Sequence, residues 1–189
     1  MKKFIFVLFV LIFSLPSWGQ SHLLFRDTPI DGKLVEFVKK MKSLGYSSTH
    51  SSDRAEILEG SFAGKNAQIY VLSTPKTNIT YKVVVQYPEG KTWLKLKQDY
   101  LDIKDLFCKK YGKPADVFEF FTDPYQEGDG YEIQALKSDK GHYVSYWDDK
   151  GGTIELSISD SCNISISYED KQNISVADKE KEDQRLNDI

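Results

Sequence analysis

Three acidic side chains, Asp123, Glu127 and Asp129, lie close together in the polar segment of residues 122–130. Carboxylate oxygens are the ligands that Ca²⁺ prefers, and two carboxylates about 5–9 Å apart form the catalytic pair of most glycosidases. The spacing fits no EF-hand loop, and separation along the chain does not measure a distance in space. We interpret the segment as a polar turn between strands, in which glycines permit positive φ. A hydrolase that acts on an envelope or extracellular polymer through paired carboxylates is the alternative.

The two cysteines of the chain, Cys108 and Cys162, form the next candidate site. In an oxidising compartment such a pair can become a disulfide, which across a loop this long would add about 4 kcal/mol to the free energy of unfolding. The chain therefore has either a disulfide or two free thiols. A catalytic thiol would need a neighbouring base, for which His142 is the only candidate, and nothing in the sequence places that histidine near either cysteine.

Familiar catalytic signatures are absent from the sequence. It contains no H-E-x-x-H, G-x-S-x-G, P-loop, dinucleotide-binding or C-x-x-C motif. The three histidines, His22, His50 and His142, lie in separate elements, so we predict no metal site and no cofactor. These absences favour a protein that is not an enzyme.

Aromatic residues are in surplus in the second half of the chain. Side chains of a strand alternate between its two faces, so Tyr146 and Trp147 point in opposite directions and one face cannot bury every ring. Exposed Tyr and Trp on a rigid sheet often anchor protein or sugar recognition. We select Tyr125, Tyr131, Tyr146 and Trp147 as candidate binding residues. The alternative is that a helix or a loop seals the surplus rings.

The elements that would position these residues include a long amphipathic helix over residues 92–114. Its apolar side chains recur at spacings of three and four, which places them on one stripe of an α-helix. The stripe comprises Trp93, Leu96, Tyr100, Ile103, Phe107 and Tyr111. A shorter helix of the same kind is predicted over residues 33–45, where a glycine ends the pattern. Each apolar stripe must be buried, and we expect it to pack against a sheet.

Segments with a period of two predict that sheet. The predicted strands are residues 22–25, 56–62, 67–73, 78–87, 116–121, 131–137, 143–148, 153–158 and 163–168. A helix followed by strands occurs in residues 22–88 and again in residues 91–169, and FVKK and FCKK lie near the ends of the two helices, which predicts an α-β-β-β repeat. The predicted fold class is α+β, with two amphipathic helices packed on one face of a largely antiparallel sheet.

Both ends of the chain differ from this pattern. Residues 1–19 combine two lysines, an unbroken apolar run and small residues at the cleavage spacing, which predicts a signal peptide and a secreted or periplasmic protein. No second transmembrane candidate follows it. Residues 170–189 are highly charged and carry no wide apolar stripe, which predicts a tail that is disordered or, as the alternative, marginally helical. A single domain of residues 20–169 remains between them.

The charge of the chain bears on its partners. The formal net charge is −3, and removal of the two lysines in the signal peptide leaves the mature chain more acidic. Nucleic-acid binding draws most of its free energy from contacts between basic side chains and phosphates, and the sequence has no clustered stripe of Lys and Arg. We therefore exclude nucleic acid as the partner.

Three segments carry a resemblance to known proteins: LFRDTPIDGKLVEFVKKMKSLGY, EGSFAG and LKQDYLDIKDLFCKKYGKP. Through them the chain resembles a group of secreted bacterial proteins of unknown function, over residues 25–170. The succession of a helix and a β-meander more loosely resembles the architecture of β-lactamase-inhibitor-type proteins and of small envelope-assembly modules. The resemblance implies a fold but no activity, and it carries over no site residue.

Together these features predict an exported, non-enzymatic binding or interaction module. Its sheet would present aromatic residues to a protein or polysaccharide partner. The sequence does not identify that partner.

Overall fold

The computed structural model describes residues 21–90 and 92–189, so the predicted signal peptide lies outside the described residues. The helices are α1 (Leu34–Ser43), α2 (Trp93–Tyr111), α3 (Glu132–Lys137) and α4 (Lys171–Asn187). The strands are β1 (Leu24–Phe25), β2 (Thr28–Pro29), β3 (Ser47–Ser51), β4 (Ala55–Phe62), β5 (Lys65–Ser73), β6 (Thr80–Gln86), β7 (Asp116–Phe121), β8 (Gly141–Asp149), β9 (Gly152–Ile158) and β10 (Ile164–Asp170). No helix in this part of the chain is long and apolar enough to span a membrane.

Eight strands form one antiparallel sheet in the order β3-β4-β5-β6-β10-β9-β8-β7. Each half of the chain contributes a helix and then four strands that follow one another in the sheet, and the last strands of the two halves, β6 and β10, pair at the centre. The predicted α+β fold with an antiparallel sheet is confirmed. Each half has one strand more than the predicted α-β-β-β repeat.

One face of the sheet, the helix face, carries the core. Ile154, Leu156 and Ile158 of β9 are buried there, while the residues between them stay partly exposed. α1 packs against β4 and β5, and α2 packs against β9 and β10. The period of two in the sequence thus corresponds to a sheet in which α1 and α2 cover one face.

The boundaries of α2 follow from its sequence. The hydroxyl of Thr92 accepts a hydrogen bond from the backbone N–H of Lys95 at 3.4 Å and caps the first turn. Gly112 has a φ of 86°, which residues with a Cβ rarely adopt, and ends the helix. The buried stripe comprises Leu96, Tyr100, Ile103 and Phe107. The predicted helix and its cap are confirmed.

The N-terminal hairpin of β1 and β2 contributes an aromatic ring to the centre of the core. Phe25 is fully buried, and its ring lies 5.5 Å from that of Phe62 in β4 and 5.2 Å from that of Tyr168 in β10. Phe107 of α2 joins the cluster 6.3 Å from Tyr168. Aromatic pairs at such distances contribute about 0.5–1.5 kcal/mol each beyond the burial of their area. The cluster therefore stabilises the contact between the two halves.

The structure differs from the strand predictions in two places. Residues 131–137 are not a strand, because Ile133 and Leu136 recur at helical spacing and pack as part of α3. β3 has no predicted counterpart, because every residue of this polar edge strand is exposed. A strand with no buried face carries no alternation of apolar residues.

The prediction of a disordered tail is wrong. Residues 171–187 form α4, and the carboxylate of Asp170 caps it by accepting hydrogen bonds from the backbone N–H groups of Gln172 and Asn173. The buried residues of α4 are Asn173, Ala177 and Glu180. Their spacing is helical, but two of them are polar, so a search for an apolar stripe does not detect this helix.

Glu180 connects α4 to the turn between β5 and β6 through hydrogen bonds. Its carboxylate accepts hydrogen bonds from the backbone N–H of Lys76 at 2.6 Å and from the N–H and hydroxyl of Thr77 at 3.2 and 2.6 Å. Burial raises the pKa of Glu180, but these hydrogen bonds outweigh it and hold the pKa below its ordinary value of 4.5. The charged carboxylate therefore stabilises the fold above about pH 5, and this contribution is lost as the pH falls through the folded pKa.

We expect Glu180→Gln to lower the free energy of unfolding by about 1–2 kcal/mol at neutral pH. The difference from the parent protein should shrink as the pH falls through the folded pKa of Glu180, which the hydrogen bonds hold below 4.5. Urea denaturation over a pH series measures both effects. Glu182→Gln, at an exposed position of the same helix, is the matched control and should change stability by less than about 0.5 kcal/mol. A loss at position 180 that does not vary with pH would contradict the prediction.

Of the two alternatives for Cys108 and Cys162, the disulfide is not formed, and both are free cysteines. The carbonyl of Cys162, in the turn after β9, accepts a hydrogen bond from the N–H of Gly90, which also lies against Leu96 at the start of α2. Cys108 lies near the other end of that helix, about 18 Å further along at a rise of 1.5 Å per residue. A disulfide requires Cα atoms within about 7 Å of each other, so the fold keeps the two thiols apart.

Candidate functional site

The open face is the face of the sheet opposite α1 and α2. Strand registers place its side chains in rows that cross the sheet. One such row comprises Ile57, Tyr70, Val84, Ser167, Glu155, Tyr146 and Asp116. Every member of the row is at least partly exposed. The open face therefore offers exposed side chains across the whole sheet, although α4 contacts β6, β9 and β10 and its Ile174 lies near Thr153 and Glu169 of this face.

The composition of the open face changes along the sheet. Its centre presents small hydroxyl side chains such as Ser157, Ser165 and Ser167. The end formed by β7 and β8 is instead largely aromatic and apolar. We define the aromatic patch as the open-face side chains Phe118, Phe120, His142, Val144 and Tyr146.

The aromatic patch is exposed to solvent. Phe118 is 47% exposed and Phe120 is 46% exposed. The ring of Phe118 meets that of Tyr146 at a centroid distance of 6.3 Å, and the ring of Phe120 lies 5.0 Å from that of His142. The rings thus pack on one another within the surface. Contiguous exposed apolar surface of this kind marks interaction sites.

The position of β7 in the sheet explains the exposure. Among the described residues β7 pairs only with β8, and it is the last strand of the sheet. Phe118 and Phe120 point to the open face, whereas Val117 and Glu119 point to the helix face, where Glu119 forms an ion pair with Lys104 of α2 at 2.5 Å. Antiparallel sheets commonly carry polar side chains on the face that meets water. β7 instead places two phenylalanine rings on that face, at the edge of the sheet.

The charged side chains at the Asp116 end of the aromatic patch are acidic, whereas exposed Lys140, opposite Thr122, lies beyond the Phe120 end. Asp116 of β7, Asp148 of β8 and Glu155 of β9 lie on the open face, and these three strands place no Lys or Arg there. Burial raises the pKa of the Tyr146 hydroxyl, and the carboxylates of Glu155 and Asp116 raise it further. The Asp116 end of the patch is thus bordered by carboxylates.

The structure separates the four binding residues that the sequence suggests. Tyr146 lies in the aromatic patch. Trp147 points to the helix face, where it is 2% exposed and its indole N–H donates to the carbonyl of Gly112 at 2.9 Å. It belongs to the core and offers no surface to a partner, because α2 covers its side of β8. Tyr125, which is half-buried, and Tyr131, which is exposed, lie in the loop between β7 and α3, outside the sheet.

Other members of the aromatic patch carry only a partial signal in the sequence. Phe118 and Phe120 belong to the aromatic surplus, and their spacing of two places them on one face of a strand. Val144 and His142 alternate with Tyr143 in the same way. Which face lies outward depends on where the helices pack, and the exposure of β7 depends on the order of the strands. Neither the outward face nor the position of β7 in the sheet can be predicted from a local sequence pattern.

Two of the three carboxylates in the polar turn stabilise the turn itself. Glu127 pairs with Lys97 of α2 and accepts a hydrogen bond from the hydroxyl of Tyr143 at 3.2 Å. The ammonium of Lys97 lowers the pKa of Glu127, although burial opposes this effect. Asp129 accepts two backbone hydrogen bonds of its own turn at 2.7 and 2.9 Å, and Asp123 is exposed. In the described ranges, no group of His, Cys, Asp and Glu side chains could hold a metal ion.

The aromatic patch and the free edge of β7 together form the candidate functional site. They combine apolar contact area, carboxylates at the Asp116 end and backbone groups with which no strand of the described residues pairs, all of which suit binding. Comparison with known proteins finds no family model, curated protein or solved structure that matches this chain.

Proposed function

We propose that this chain is an exported, non-enzymatic binding protein that docks a partner protein on its aromatic patch. The exposure of Phe118 and Phe120 on the open face is the observation that carries the proposal. Removing apolar surface from water stabilises a complex by about 25 cal/mol per Å², and a partner that covers both rings gains this free energy. Interface hot spots are typically aromatic and are surrounded by a polar rim, as the patch is by Asp116 and Glu155.

A protein partner suits the patch better than a polysaccharide does. Phe118 and Phe120 have no polar atom with which to bind sugar hydroxyls. Trp147, which offers both a large ring and an N–H donor, is buried. Apolar side chains of a protein are therefore the natural complement of the patch.

The proposed location is secreted or periplasmic. Residues 1–19 have the basic start, apolar run and small residues of a signal peptide. The partner is then another exported or cell-surface protein.

The combined replacement of Phe118 and Phe120 by serine should abolish partner capture and leave the fold intact. Loss of two aromatic anchors from the centre of an interface should weaken binding at least about 100-fold. Both rings are about half exposed, so each replacement should lower the free energy of unfolding by no more than about 1 kcal/mol. The measurement is affinity capture from the envelope and medium of cells that express the chain, with quantitative mass spectrometry, followed by the Kd of each captured partner.

Leu94→Ser is the matched control for this experiment. Leu94 is an apolar side chain of α2 that is 80% exposed, on the other side of the sheet. Its replacement should leave capture unchanged, and circular dichroism verifies that each variant is folded. A partner that the double variant binds as well as the parent does would contradict docking on the patch. A polysaccharide whose binding the double variant loses would contradict the choice of a protein partner.

A further inference from the structure

We infer that the partner contributes an extended segment, with alternating apolar and basic side chains, that pairs with the free edge of β7 as an additional strand. This inference rests on the proposed function and specifies how the partner is held. Strand addition combines backbone hydrogen bonds along a sheet edge with side-chain contacts at alternate positions. The backbone groups of β7 and its open-face side chains indicate how each of these two kinds of contact would form.

Within residues 21–90 and 92–189, no strand pairs with the outer side of β7. The N–H of Thr122 donates to the carbonyl of Lys140 in the direction of β8, at 2.8 Å. Hydrogen-bonded positions alternate along an antiparallel strand, so the even-numbered residues of β7 bond to β8. The odd-numbered residues Val117, Glu119 and Phe121 then turn their N–H and C=O groups to the free edge. A second strand can bond to each of them.

The two edges of the sheet differ in how they resist pairing. β3, at the far edge, is polar and has a register shift between Ser48 and His50, and such irregularity discourages pairing with another chain. β7 keeps a regular register from Asp116 to Phe121 and contains neither Pro nor Lys. The charged residues of β7, Asp116 and Glu119, discourage pairing with another acidic strand, but no proline, lysine or register shift within Asp116–Phe121 blocks a basic one.

The open face determines which side chains the added segment needs. In an antiparallel addition, successive open-face side chains of the segment lie beside Phe120, Phe118 and Asp116 of β7. Apolar side chains suit the two rings, and Lys or Arg suits Asp116, with Glu155 in the same row as a further carboxylate. The segment should therefore have the pattern apolar-x-apolar-x-basic.

A second copy of this chain fits the same edge less well. β7 itself carries Asp116 and Glu119 and no basic residue. The chain as a whole has a net charge of −3. Pairing two copies through β7 would bring acidic edges together, whereas a basic segment neutralises them.

Selection of random decapeptides displayed on phage, with the immobilised protein as bait, tests the predicted chemistry. The expected result is enrichment of apolar-x-apolar-x-basic sequences. A synthetic peptide of the enriched sequence should bind the Val117→Pro variant at least about 30-fold more weakly, because proline removes an N–H from the free edge. Val117→Ala removes the side chain and keeps the N–H, so its Kd should change less than about threefold.

A second measurement keeps the test independent of any effect of proline on folding. Two versions of the peptide carry N-methyl groups, either on the amides opposite Val117 and Glu119 or on the amides opposite Phe118 and Phe120. Only the first set faces β7 in a strand addition. Its methylation should abolish binding to the unmodified protein, and methylation of the second set should leave the Kd nearly unchanged.

The remaining outcomes would overturn the inference. Enrichment of acidic or patternless peptides, failure to enrich any peptide, or equal effects of the two methylated sets would exclude a basic added strand. Concentration-dependent dimerisation that Val117→Pro abolishes would assign the edge to a second copy of the chain. If capture of a partner depends on Phe118 and Phe120 but not on the N–H of Val117, docking on the aromatic patch stands and strand addition fails.

Discussion

Gly152→Ala should lower the free energy of unfolding by at least about 4 kcal/mol, the largest effect that we expect of a single substitution. Gly152 lies opposite Asp170 where β9 begins and β10 ends. A Cβ at this position would lie 2.0 Å from the carbonyl oxygen of Glu169 and 3.1 Å from the backbone nitrogen of Lys171. Both are backbone atoms, so no side-chain rotation can relieve the overlap. The two strands must separate, which also displaces the start of α4.

Urea denaturation measures this effect as a shift of the transition midpoint at an unchanged slope. Gly64→Ala is the matched control, because nothing lies within 4 Å of a Cβ at that position and only its φ of +78° is unfavourable. A left-handed conformation should cost the alanine about 1–2 kcal/mol. Equal losses at the two positions would show that steric overlap at Gly152 is not the cause.

Asp170→Ala should lower the free energy of unfolding by about 3–5 kcal/mol. Asp170 is 0% exposed. One carboxylate oxygen accepts hydrogen bonds from the N–H of Leu23 at 2.9 Å and from Nδ1 of His22 at 3.1 Å, and the other accepts the N–H groups of Gln172 and Asn173 at 3.1 and 2.9 Å. Alanine removes the acceptor for every one of these donors. It also removes the cap of α4.

Asp178→Ala is the matched control on the same helix. Asp178 is exposed, and its carboxylate forms an ion pair with Lys181 at 3.2 Å. An exposed pair of this kind contributes less than about 1 kcal/mol. Asp170→Asn keeps one acceptor oxygen and should fall between the two alanine variants in urea denaturation. A loss at Asp170 no larger than that at Asp178 would contradict the structural role of the buried carboxylate.

Both substitutions act on one corner of the fold. A Cβ on the neighbouring Gly151 would lie 2.3 Å from the backbone nitrogen of Leu23, the residue whose N–H also donates to Asp170. The N-terminal segment, the ends of β9 and β10, and α4 therefore meet at the same place. This corner orders α4 through polar contacts, which is why a highly charged segment is helical although it has no apolar stripe.

The helices and most strands follow from patterns that the sequence contains locally. The stripe of Leu96, Tyr100, Ile103 and Phe107 predicts the buried side of α2, and the alternation in β9 predicts its buried side. These patterns exist because each element must bury one side of itself. The same reasoning fails for α4 and for β3, since the first is held by polar side chains and the second buries neither face.

By itself, therefore, the sequence determined the fold class, the two amphipathic helices and the presence of more aromatic rings than one face can bury. The tertiary structure alone decided that Trp147 lies in the core, that Cys108 and Cys162 are far apart, and that Phe118 and Phe120 stand exposed on an edge strand. The periodicity of apolar residues predicts which side chains are buried, but it does not predict which element packs against them. The order of strands and the packing of helices depend on contacts between distant residues, so the candidate site appears only when the chain is folded.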